Sequence, residues 1–283
     1  MLPAHLPGRL LGIDAGGSGT RVALLDGGQV RELAPGPPMN ALLTAGIAAL
    51  LEKIIRDAAP DAAGIGIPGL RSVNAEDLAR TLRERTGCPV VLSGDGDAAR
   101  AGAFLGGPGV VVIAGTGSAA VGWDGTRLVR AGGRGFLLGD QGSAYWIGRA
   151  AVSAALYWAD AMGGSPALHQ AVLASTGVPL EQLIAKVHTS PAERSVLTVL
   201  APVVTALART DPQARRISTR AADHLTALAR AVLSRLDGPV PVAGTGGVFS
   251  SALIWDRFAA ATGAVRPLAA PAVGAALLAA RDA

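Results

Sequence analysis

Two glycine-rich turns in this sequence carry residue types that bind phosphate. One of them, Gly115–Ser118 (Gly-Thr-Gly-Ser), directly follows the apolar run Val110–Ala114. The other lies in Leu10–Thr20, which reads Leu-Leu-Gly-Ile-Asp-Ala-Gly-Gly-Ser-Gly-Thr and places a carboxylate, Asp14, at the mouth of the turn. Glycine lets a backbone approach a ligand closely, and consecutive free N–H groups in such a turn form an anion-binding nest. Two turns of this design, about a hundred residues apart, indicate a nucleotide held between two similar halves.

The turn at Gly115 also has a simpler interpretation as an ordinary hairpin. The apolar run resumes at Ala119–Trp123, and Asp124-Gly125 is itself a hairpin signal. The better-known phosphate loops are absent from the sequence. It contains no G-x-x-x-x-G-K-[ST] stretch, and its G-x-G-x-x-G match, Gly64–Gly69, lies in a strand pattern and does not open directly into a helix. The sequence therefore argues against a P-loop NTPase, a protein-kinase-like site and an ordinary dinucleotide site.

Length and composition bound the class of protein. At 283 residues, of which 50% are hydrophobic and 16% charged, the chain is long enough for two domains with full cores. The 25 basic and 21 acidic residues are scattered without a basic run, so nucleic-acid binding is not indicated. The uncharged stretch Ala101–Trp123 is long enough to span a membrane, but its seven glycines and Pro108 favour loops and strands. The N-terminus lacks a signal pattern, so we expect a cytoplasmic location without a membrane or nucleic-acid partner.

The pattern of apolar residues predicts an α/β protein of duplicated design. Three strands between Leu10 and Leu33 are followed by helix, strand, helix and strand, which gives the order β-β-β-α-β-α-β. The second half opens with three more strands, and helices fill most of Ala167–Leu236. We expect an N-terminal domain of residues 1–96, a C-terminal domain of residues 97–270 with a helical insertion, and a C-terminal helix, residues 271–283, that packs back on the N-terminal domain.

Three motifs resemble those of the superfamily that comprises the sugar kinases, actin-like proteins and Hsp70 chaperones. Asp14-Ala-Gly-Gly-Ser-Gly-Thr20 is similar to its first phosphate motif, Ala114-Gly-Thr-Gly-Ser118 to its second, and Ala243-Gly-Thr-Gly-Gly-Val248 to its adenosine motif. The run from Gly132 to Gly148, which contains Gly-Asp-Gln-Gly-Ser-Ala-Tyr-Trp-Ile, resembles a segment of the N-acetylglucosamine kinases of the BadF/BadG/BcrA/BcrD-type ATPase family. The resemblance implies two ribonuclease-H-like, actin-like ATPase domains with a nucleotide and sugar cleft between them.

The resemblance implies ATP and Mg²⁺ as cofactors and assigns residues to them. Asp14 would hold Mg²⁺ beside the β- and γ-phosphates, although an aspartate at such a place can also cap a turn. Gly246 and Gly247 would let adenosine lie flat on the backbone, with an ordinary strand-to-helix turn as the alternative. The residues implied to bind the nucleotide are Asp14, Gly16, Gly17, Ser18, Gly19, Thr20, Gly115, Thr116, Gly117, Ser118, Gly246 and Gly247.

The resemblance also implies a general base, for which Asp95 is the first candidate. It follows a predicted strand and precedes Gly115 by twenty residues, a spacing similar to that of the family. A carboxylate there can accept the proton of a sugar hydroxyl that attacks the γ-phosphorus. Asp97 is the rival, and we expect Asp95 to be the base and Asp97 an N-cap of a helix from Ala98. The residues implied to bind the sugar are Asn40, Asp95, Thr116 and Asp140.

The sequence keeps the catalytic frame of the amino-sugar kinases but differs at the sugar rim. Arg134 stands where tryptophan is typical, Phe136 where histidine is frequent and Gln141 where glutamate is typical. Asp140 also has an alternative role, as a cap of the helix after Ser143. The resemblance implies an ATP-dependent kinase that acts on a small-molecule sugar, with N-acetylglucosamine or glucosamine as first candidates, and that forms a homodimer.

A different class within the same family is the ATP-driven activator of 2-hydroxyacyl-CoA dehydratases. Such activators resemble the kinases in sequence but bind an iron–sulfur cluster at a dimer interface through two cysteines from each subunit. This chain has one cysteine, Cys88, which argues against that class. A single cysteine also excludes an internal disulfide, a zinc ribbon and a self-contained iron–sulfur site.

Overall fold

The chain forms two compact units, each with its own sheet and helices. The computed structural model describes residues 6–16, 19–39, 46–70, 75–189 and 194–282. Unit 1 comprises Met1–Val111 and Arg266–Ala283, and unit 2 comprises Val112–Val265. The α/β class is confirmed. The predicted domain limits at residues 96 and 270 stay a prediction, because compactness does not test which segments fold independently.

The first elements of unit 1 follow the predicted order β-β-β-α-β-α-β and end with a third helix. They are β1 (Leu10–Gly16), β2 (Gly19–Asp26), β3 (Gln29–Gly36), α1 (Ile47–Ala58), β4 (Ala62–Ile67), α2 (Ala75–Thr86), β5 (Val90–Gly94) and α3 (Asp95–Ala103). The strands form one sheet in the order β3-β2-β1-β4-β5. The β1–β2 and β2–β3 pairs are antiparallel, whereas β4 is parallel to both β1 and β5. The carboxyl ends of β1, β4 and β5 therefore lie at the same edge of the sheet.

The elements that follow form a second sheet with a helical region. They are β6 (Gly109–Ala114), β7 (Ser118–Trp123), β8 (Leu128–Gly132), α4 (Ala144–Ala159), α5 (Pro166–Thr176), α6 (Leu180–Thr189), α7 (Arg194–Thr198), α8 (Leu200–Leu207), α9 (Pro212–Leu233), β9 (Val242–Thr245) and α10 (Ala252–Thr262). The sheet order is β8-β7-β6-β9. Proline starts α5 and α9, where its missing N–H would have no partner within the helix.

The last helix, α11 (Pro271–Asp282), belongs to unit 1 and packs on β1 and β4. Two glycines allow this contact: Gly12 and Gly64 are partners in the β1–β4 register. A Cβ atom on Gly12 would lie 1.8 Å from the carbonyl oxygen of Ala272, and one on Gly64 would lie 1.8 Å from that of Ala275. The G-x-G-x-x-G match thus begins with a glycine that serves helix packing.

The two faces of the unit 1 sheet carry different side chains. Leu11 and Ile13 of β1 pack with Leu51 and Ile55 of α1 in one hydrophobic core. Because side chains alternate along a strand, Gly12 and its neighbours of the same parity face the other side, which α11 covers. Asp14 lies two positions after Gly12 on β1, so this alternation places its side chain on the side of the sheet that α11 covers.

Asp97 is not the N-cap of a helix: α3 begins at Asp95, and its N-cap is Gly94. The prediction was wrong because the helix starts directly at the end of β5, three residues earlier than expected. The apolar period of the sequence predicts a helix over Ala41–Ala58, of which residues 41–45 lie outside the described residues. Across the described segments, no helix has both the length and the apolar character needed to cross a membrane.

Candidate active site

Asp14 lies near the carboxyl end of β1, opposite Arg21 of β2 and Gly66 of β4. Burial raises the pKa of its carboxyl from 3.8 to about 6; the positive charge of Arg21 lowers the pKa, and the negative charge of Asp95 raises it. Asp95 is therefore near enough for its charge to act on the carboxyl of Asp14. Two neighbouring carboxyls with raised pKa values are typical of functional sites.

Asp95 is the first residue of α3 and directly follows β5. A Cβ atom on Gly66 would lie 2.7 Å from Cβ of Ala98 and 3.6 Å from Cα of Asp95, so a glycine lets the first turn of α3 lie on β4. The Oδ1 atom of Asp95 accepts a hydrogen bond of 2.9 Å from the N–H of Gly96. The side chain is exposed, yet the surrounding protein atoms raise its pKa; the bond from Gly96 lowers the pKa and the charge of Asp97 raises it.

These features suit Asp95 to accept a proton. The residue is exposed, and its raised pKa brings the carboxyl nearer to neutral pH, where a general base works best. Asp97 lies in the same first turn of α3, where the helix dipole favours a negative charge. The predicted assignment of the base to Asp95 stays a prediction.

The tip of the β1–β2 hairpin lies partly outside the described residues. Gly16 and Gly19 are paired at the end of the hairpin, and the carbonyl of Gly16 accepts a hydrogen bond of 3.0 Å from the N–H of Met39. Gly17 and Ser18, between the paired glycines, are not among the described residues. The role of this turn in phosphate binding therefore stays a prediction.

Thr20 has a supporting position in the structure. Its side chain is fully buried, and its hydroxyl donates a hydrogen bond of 2.6 Å to the carbonyl of Pro37. This bond holds β2 to the segment after β3, and a buried hydroxyl is out of reach of a ligand in this conformation. The hydroxyl of Thr20 is thus engaged within the fold, and the predicted contact of Thr20 with the nucleotide stays a prediction. Asn40, predicted to contact the sugar, lies outside the described residues.

The turn Gly115–Ser118 joins β6 and β7, which are neighbours in the sheet, and is also attached to the start of α4. The N–H of Ser118 donates to Oδ1 of Asp140 at 3.3 Å, and its hydroxyl donates to the carbonyl of Gln141 at 2.8 Å. The N–H of Ala144 donates to the carbonyl of Gly115 at 2.9 Å. The turn is therefore both a hairpin connection and a rigidly supported loop.

Asp140 supports this turn through its carboxyl. It is only 9% exposed and has a φ of 58°, which is uncommon for a residue other than glycine. A Cβ atom on Gly117 would lie 2.8 Å from its Oδ2 atom. The N-cap of α4 is Ser143, whose hydroxyl oxygen accepts a hydrogen bond from the N–H of Trp146 at 3.1 Å. The alternative role of Asp140 as that cap is therefore wrong, and its predicted contact with a sugar is untested.

Two glycines of the candidate nucleotide loops are not required by the fold. A Cβ atom on Gly115 or on Gly247 would meet no atom within 4 Å, and neither residue has a positive φ. Gly246 differs, because its φ is 104° and a Cβ atom would lie 2.4 Å from the carbonyl oxygen of Ala114. Open space beside the backbone is what close approach of a ligand needs. Thr116, next to Gly115, is exposed.

Two residues of the site were not singled out from the sequence. Arg21 faces Asp14 because both are the same distance from the tip of the hairpin, and this symmetry was a usable signal. Ser143 precedes an apolar helix, which is the ordinary signature of an N-cap. The hydrogen bond between Ser118 and Asp140 joins residues 22 positions apart and has no local signature.

Comparison with known proteins places the chain in a family. The sequence model of the BadF/BadG/BcrA/BcrD ATPase family matches residues 11–279. The chain belongs to this family. One relative of the chain is the N-acetylmuramic acid/N-acetylglucosamine kinase of Clostridium acetobutylicum, which is 30% identical over 181 residues. The matched stretch spans 58% of this chain and 58% of the relative.

Solved structures agree with the assignment of the chain to this family. A structure named as a candidate N-acetylglucosamine kinase from Chromobacterium violaceum has a TM-score of 0.77 and 27% identity, and the match covers 98% of this chain and 100% of that chain. A ROK family glucokinase from Streptomyces griseus, solved with glucose and AMPPNP, has a TM-score of 0.63 and 20% identity, with coverage of 98% and 100%. At that identity the second likeness is one of fold. The predicted family and the two-domain actin-like ATPase fold are confirmed.

Proposed function

We propose that this protein transfers the γ-phosphate of ATP to a hydroxyl of an amino sugar or a related hexose. The observation that carries the proposal is the pair Asp14 and Asp95 at one edge of the unit 1 sheet, close enough for the charge of one to raise the pKa of the other. Family membership and the full-length likeness to a candidate N-acetylglucosamine kinase support the choice of reaction. N-acetylglucosamine and glucosamine are the first substrates to test.

In the proposed reaction, Asp95 is the general base. The sugar hydroxyl oxygen forms a bond to the γ-phosphorus, the bond from that phosphorus to the β–γ bridging oxygen breaks, and ADP leaves. The proton of the hydroxyl passes to the carboxylate of Asp95. Asp95 is suited to this because the residue is exposed and its pKa is raised by its surroundings.

The turn Gly115–Ser118 offers a defined set of donors to phosphate. The N–H of Gly115 donates to the carbonyl of Gly117 at 3.0 Å, and that of Ser118 donates to Asp140. The N–H groups of Thr116 and Gly117 are then the ones that remain for phosphate oxygens. The hydroxyl of Ser118 is engaged with Gln141, so we expect its role to be support of the turn.

The position of Asp14 fits a magnesium ion. Mg²⁺ is usually held by one or two carboxylates together with substrate phosphates and water, so a protein cage is not needed. No group of three or more potential metal ligands occurs in the described part of the chain. Asp14 would hold the ion together with the nucleotide, and the ion would neutralise charge on the β- and γ-phosphates.

A phosphorylation screen tests the proposed function. The purified protein is incubated with ATP, MgCl₂ and one sugar at a time: glucosamine, N-acetylglucosamine, N-acetylmuramic acid, glucose or mannose. We expect at least one amino sugar to raise ADP release well above the rate with ATP alone and to yield a sugar phosphate by mass spectrometry. ATP hydrolysis that no sugar stimulates would contradict the proposal.

The activator of a partner enzyme is the less supported alternative. Cys88, the one cysteine of the sequence, is 7% exposed, whereas a shared iron–sulfur cluster of that class needs two cysteines from each subunit. Anaerobic reconstitution followed by an iron assay would reveal such a cluster. The homodimer implied by the resemblance is likewise part of the proposal, and light scattering tests it.

A further inference from the structure

A groove between α4 and α9 in unit 2 is lined by residues that none of the roles above employs. Its cavity has a volume of about 260 Å³. The polar and aromatic side chains that line it are Trp146, Ser153 and Tyr157 of α4 and Gln213, Arg216 and Arg220 of α9. Trp146 belongs to the sequence run that most resembles the N-acetylglucosamine kinases, yet its ring contacts α9.

The groove follows from helical spacing on both sides. Its α4 residues recur every three or four positions from Trp146 to Tyr157, and its α9 residues do so from Gln213 to Arg220, so each set forms one stripe of its helix. Ala154 and Ile217, at 7% and 5% exposure, supply an apolar floor. The result is an apolar base with polar groups above it, which is the usual composition of a small-molecule site.

Two arginines give the groove an uncompensated positive charge. Arg216 and Arg220 lie one turn apart on α9, and like charges at this spacing destabilise a helix. Within the described residues, neither guanidinium has an ion pair or a hydrogen bond. Other arginines nearby are engaged: Arg215 donates to backbone carbonyls, and Arg257 pairs with Asp223 at 2.6 Å.

Aromatic rings border the arginines. The guanidinium of Arg220 lies 5.9 Å from the ring centre of Trp146, and the ring of His224 meets the same indole edge-on at 4.9 Å. These contacts fix Trp146, which is 9% exposed. Tyr157 is 53% exposed and leaves an aromatic face and a hydroxyl open to a ligand. A ligand with a polar ring and an anionic group matches this arrangement.

We propose that the groove binds a small phosphate monoester. Its phosphate would accept hydrogen bonds from Arg216 and Arg220, since guanidinium groups match phosphate oxygens in geometry and charge. Its hydroxylated body would lie against Tyr157 and within reach of Gln213. The choice of a sugar phosphate as the ester rests on the proposed function, because that reaction produces a sugar phosphate. The inference of an anion site does not rest on the proposed function.

Calorimetric titration of the full-length protein tests the site. The probes are inorganic phosphate and N-acetylglucosamine 6-phosphate, and the proteins are wild type, Arg216→Gln, Arg220→Gln and Arg230→Gln. Arg230 is an exposed arginine of α9 outside the groove, so its variant is a control for loss of one charge. We expect Arg216→Gln and Arg220→Gln each to weaken binding of the ester by about tenfold or more, and Arg230→Gln to stay within about twofold of wild type.

The outcomes separate the site from the proposed function. Unchanged ester affinity in Arg216→Gln and Arg220→Gln, or no binding of either probe to the wild type, overturns the groove as an anion site. Binding of phosphate that is as tight as binding of the ester overturns the sugar-phosphate assignment. Kinase turnover is measured separately on the same samples. Intact, arginine-dependent ester binding in a protein that phosphorylates no sugar would support the groove and overturn the proposed function.

Discussion

Asp95 and Asp97 lie in the same turn of α3, yet we expect them to respond differently to the same substitution. If Asp95 accepts the hydroxyl proton, Asp95→Asn should lower turnover by ~10²–10⁴-fold with little change in sugar binding, because an amide can still hydrogen-bond a hydroxyl. Asp97→Asn should leave turnover near wild type and cost about 0.3–1 kcal/mol of stability through the helix dipole. Steady-state kinetics and melting temperatures on both variants decide this. A large rate loss in Asp97→Asn alone would show that the base is Asp97 and that its assignment to Asp95 is wrong.

Asp14 should make stability depend on pH. Its pKa rises from 3.8 to about 6 in the folded protein, so the stability that the protonated form provides is lost as pH increases through 6. Asp14→Asn should therefore have a larger free energy of unfolding than wild type at pH 8, by up to about 3 kcal/mol and by less because the group is partly exposed. The gain should be smaller at pH 5, and melting temperatures at the two pH values compare them. The variant should also lose most of its turnover. Equal gains at both pH values would show that the carboxyl does not titrate as described.

At the scale of the element, the loop between β6 and β7 offers a matched pair of substitutions. A Cβ atom on Gly115 would enter open space, whereas one on Gly117 would lie 2.8 Å from Oδ2 of Asp140. Gly115→Ala should melt within a degree or two of wild type but bind ATP poorly, because the methyl group fills the space predicted for phosphate. Gly117→Ala should also lose stability, by about 1–3 kcal/mol for overpacking. Unimpaired ATP affinity in Gly115→Ala, measured by calorimetry, would remove this turn from the nucleotide site.

Elements could be predicted from the sequence where local signals agree. The run of small and β-branched residues Ala62–Ile67, which Pro68-Gly69 closes, predicts a strand, and β4 has these bounds. Helix α3 was misjudged because Asp-Gly-Asp resembles a loop, while the strand before it passes straight into the helix. The position of Asp14 near the carboxyl end of a strand was predictable from the sequence pattern of that strand. Its coupling to Asp95 depends on the parallel arrangement of β1, β4 and β5, which local patterns do not contain.

At the scale of the whole molecule, the contact of α11 with the unit 1 sheet should control stability. Gly12→Ala would place a methyl group against the carbonyl oxygen of Ala272, a backbone atom that moves only if the helix moves. We expect a loss of about 1–3 kcal/mol or more, with faster hydrogen exchange in α11 and β1. Gly115→Ala, with open space at its Cβ position, is the control. Denaturant unfolding with an unchanged midpoint in Gly12→Ala would contradict this close packing.

Long-range packing is what the sequence left undetermined. Glycine at position 64 was visible only as part of a motif, and its purpose depends on a helix that follows it by more than two hundred residues. The bond between Ser118 and Asp140 is of the same kind, since each residue alone resembles ordinary loop chemistry. Such contacts are set by tertiary structure, which overrides local propensity.

The place of α11 in the core of unit 1 sets an order of events during translation. The ribosome releases Gly12 and the rest of β1 early, but the helix that covers this face emerges only after all of Val112–Val265 has been made. At typical synthesis rates the delay between Gly12 and α11 is roughly 10–50 s. Unit 2 therefore has its complete sequence first, while nascent unit 1 presents an uncovered apolar face, and this is the surface on which chaperones should act in the cell.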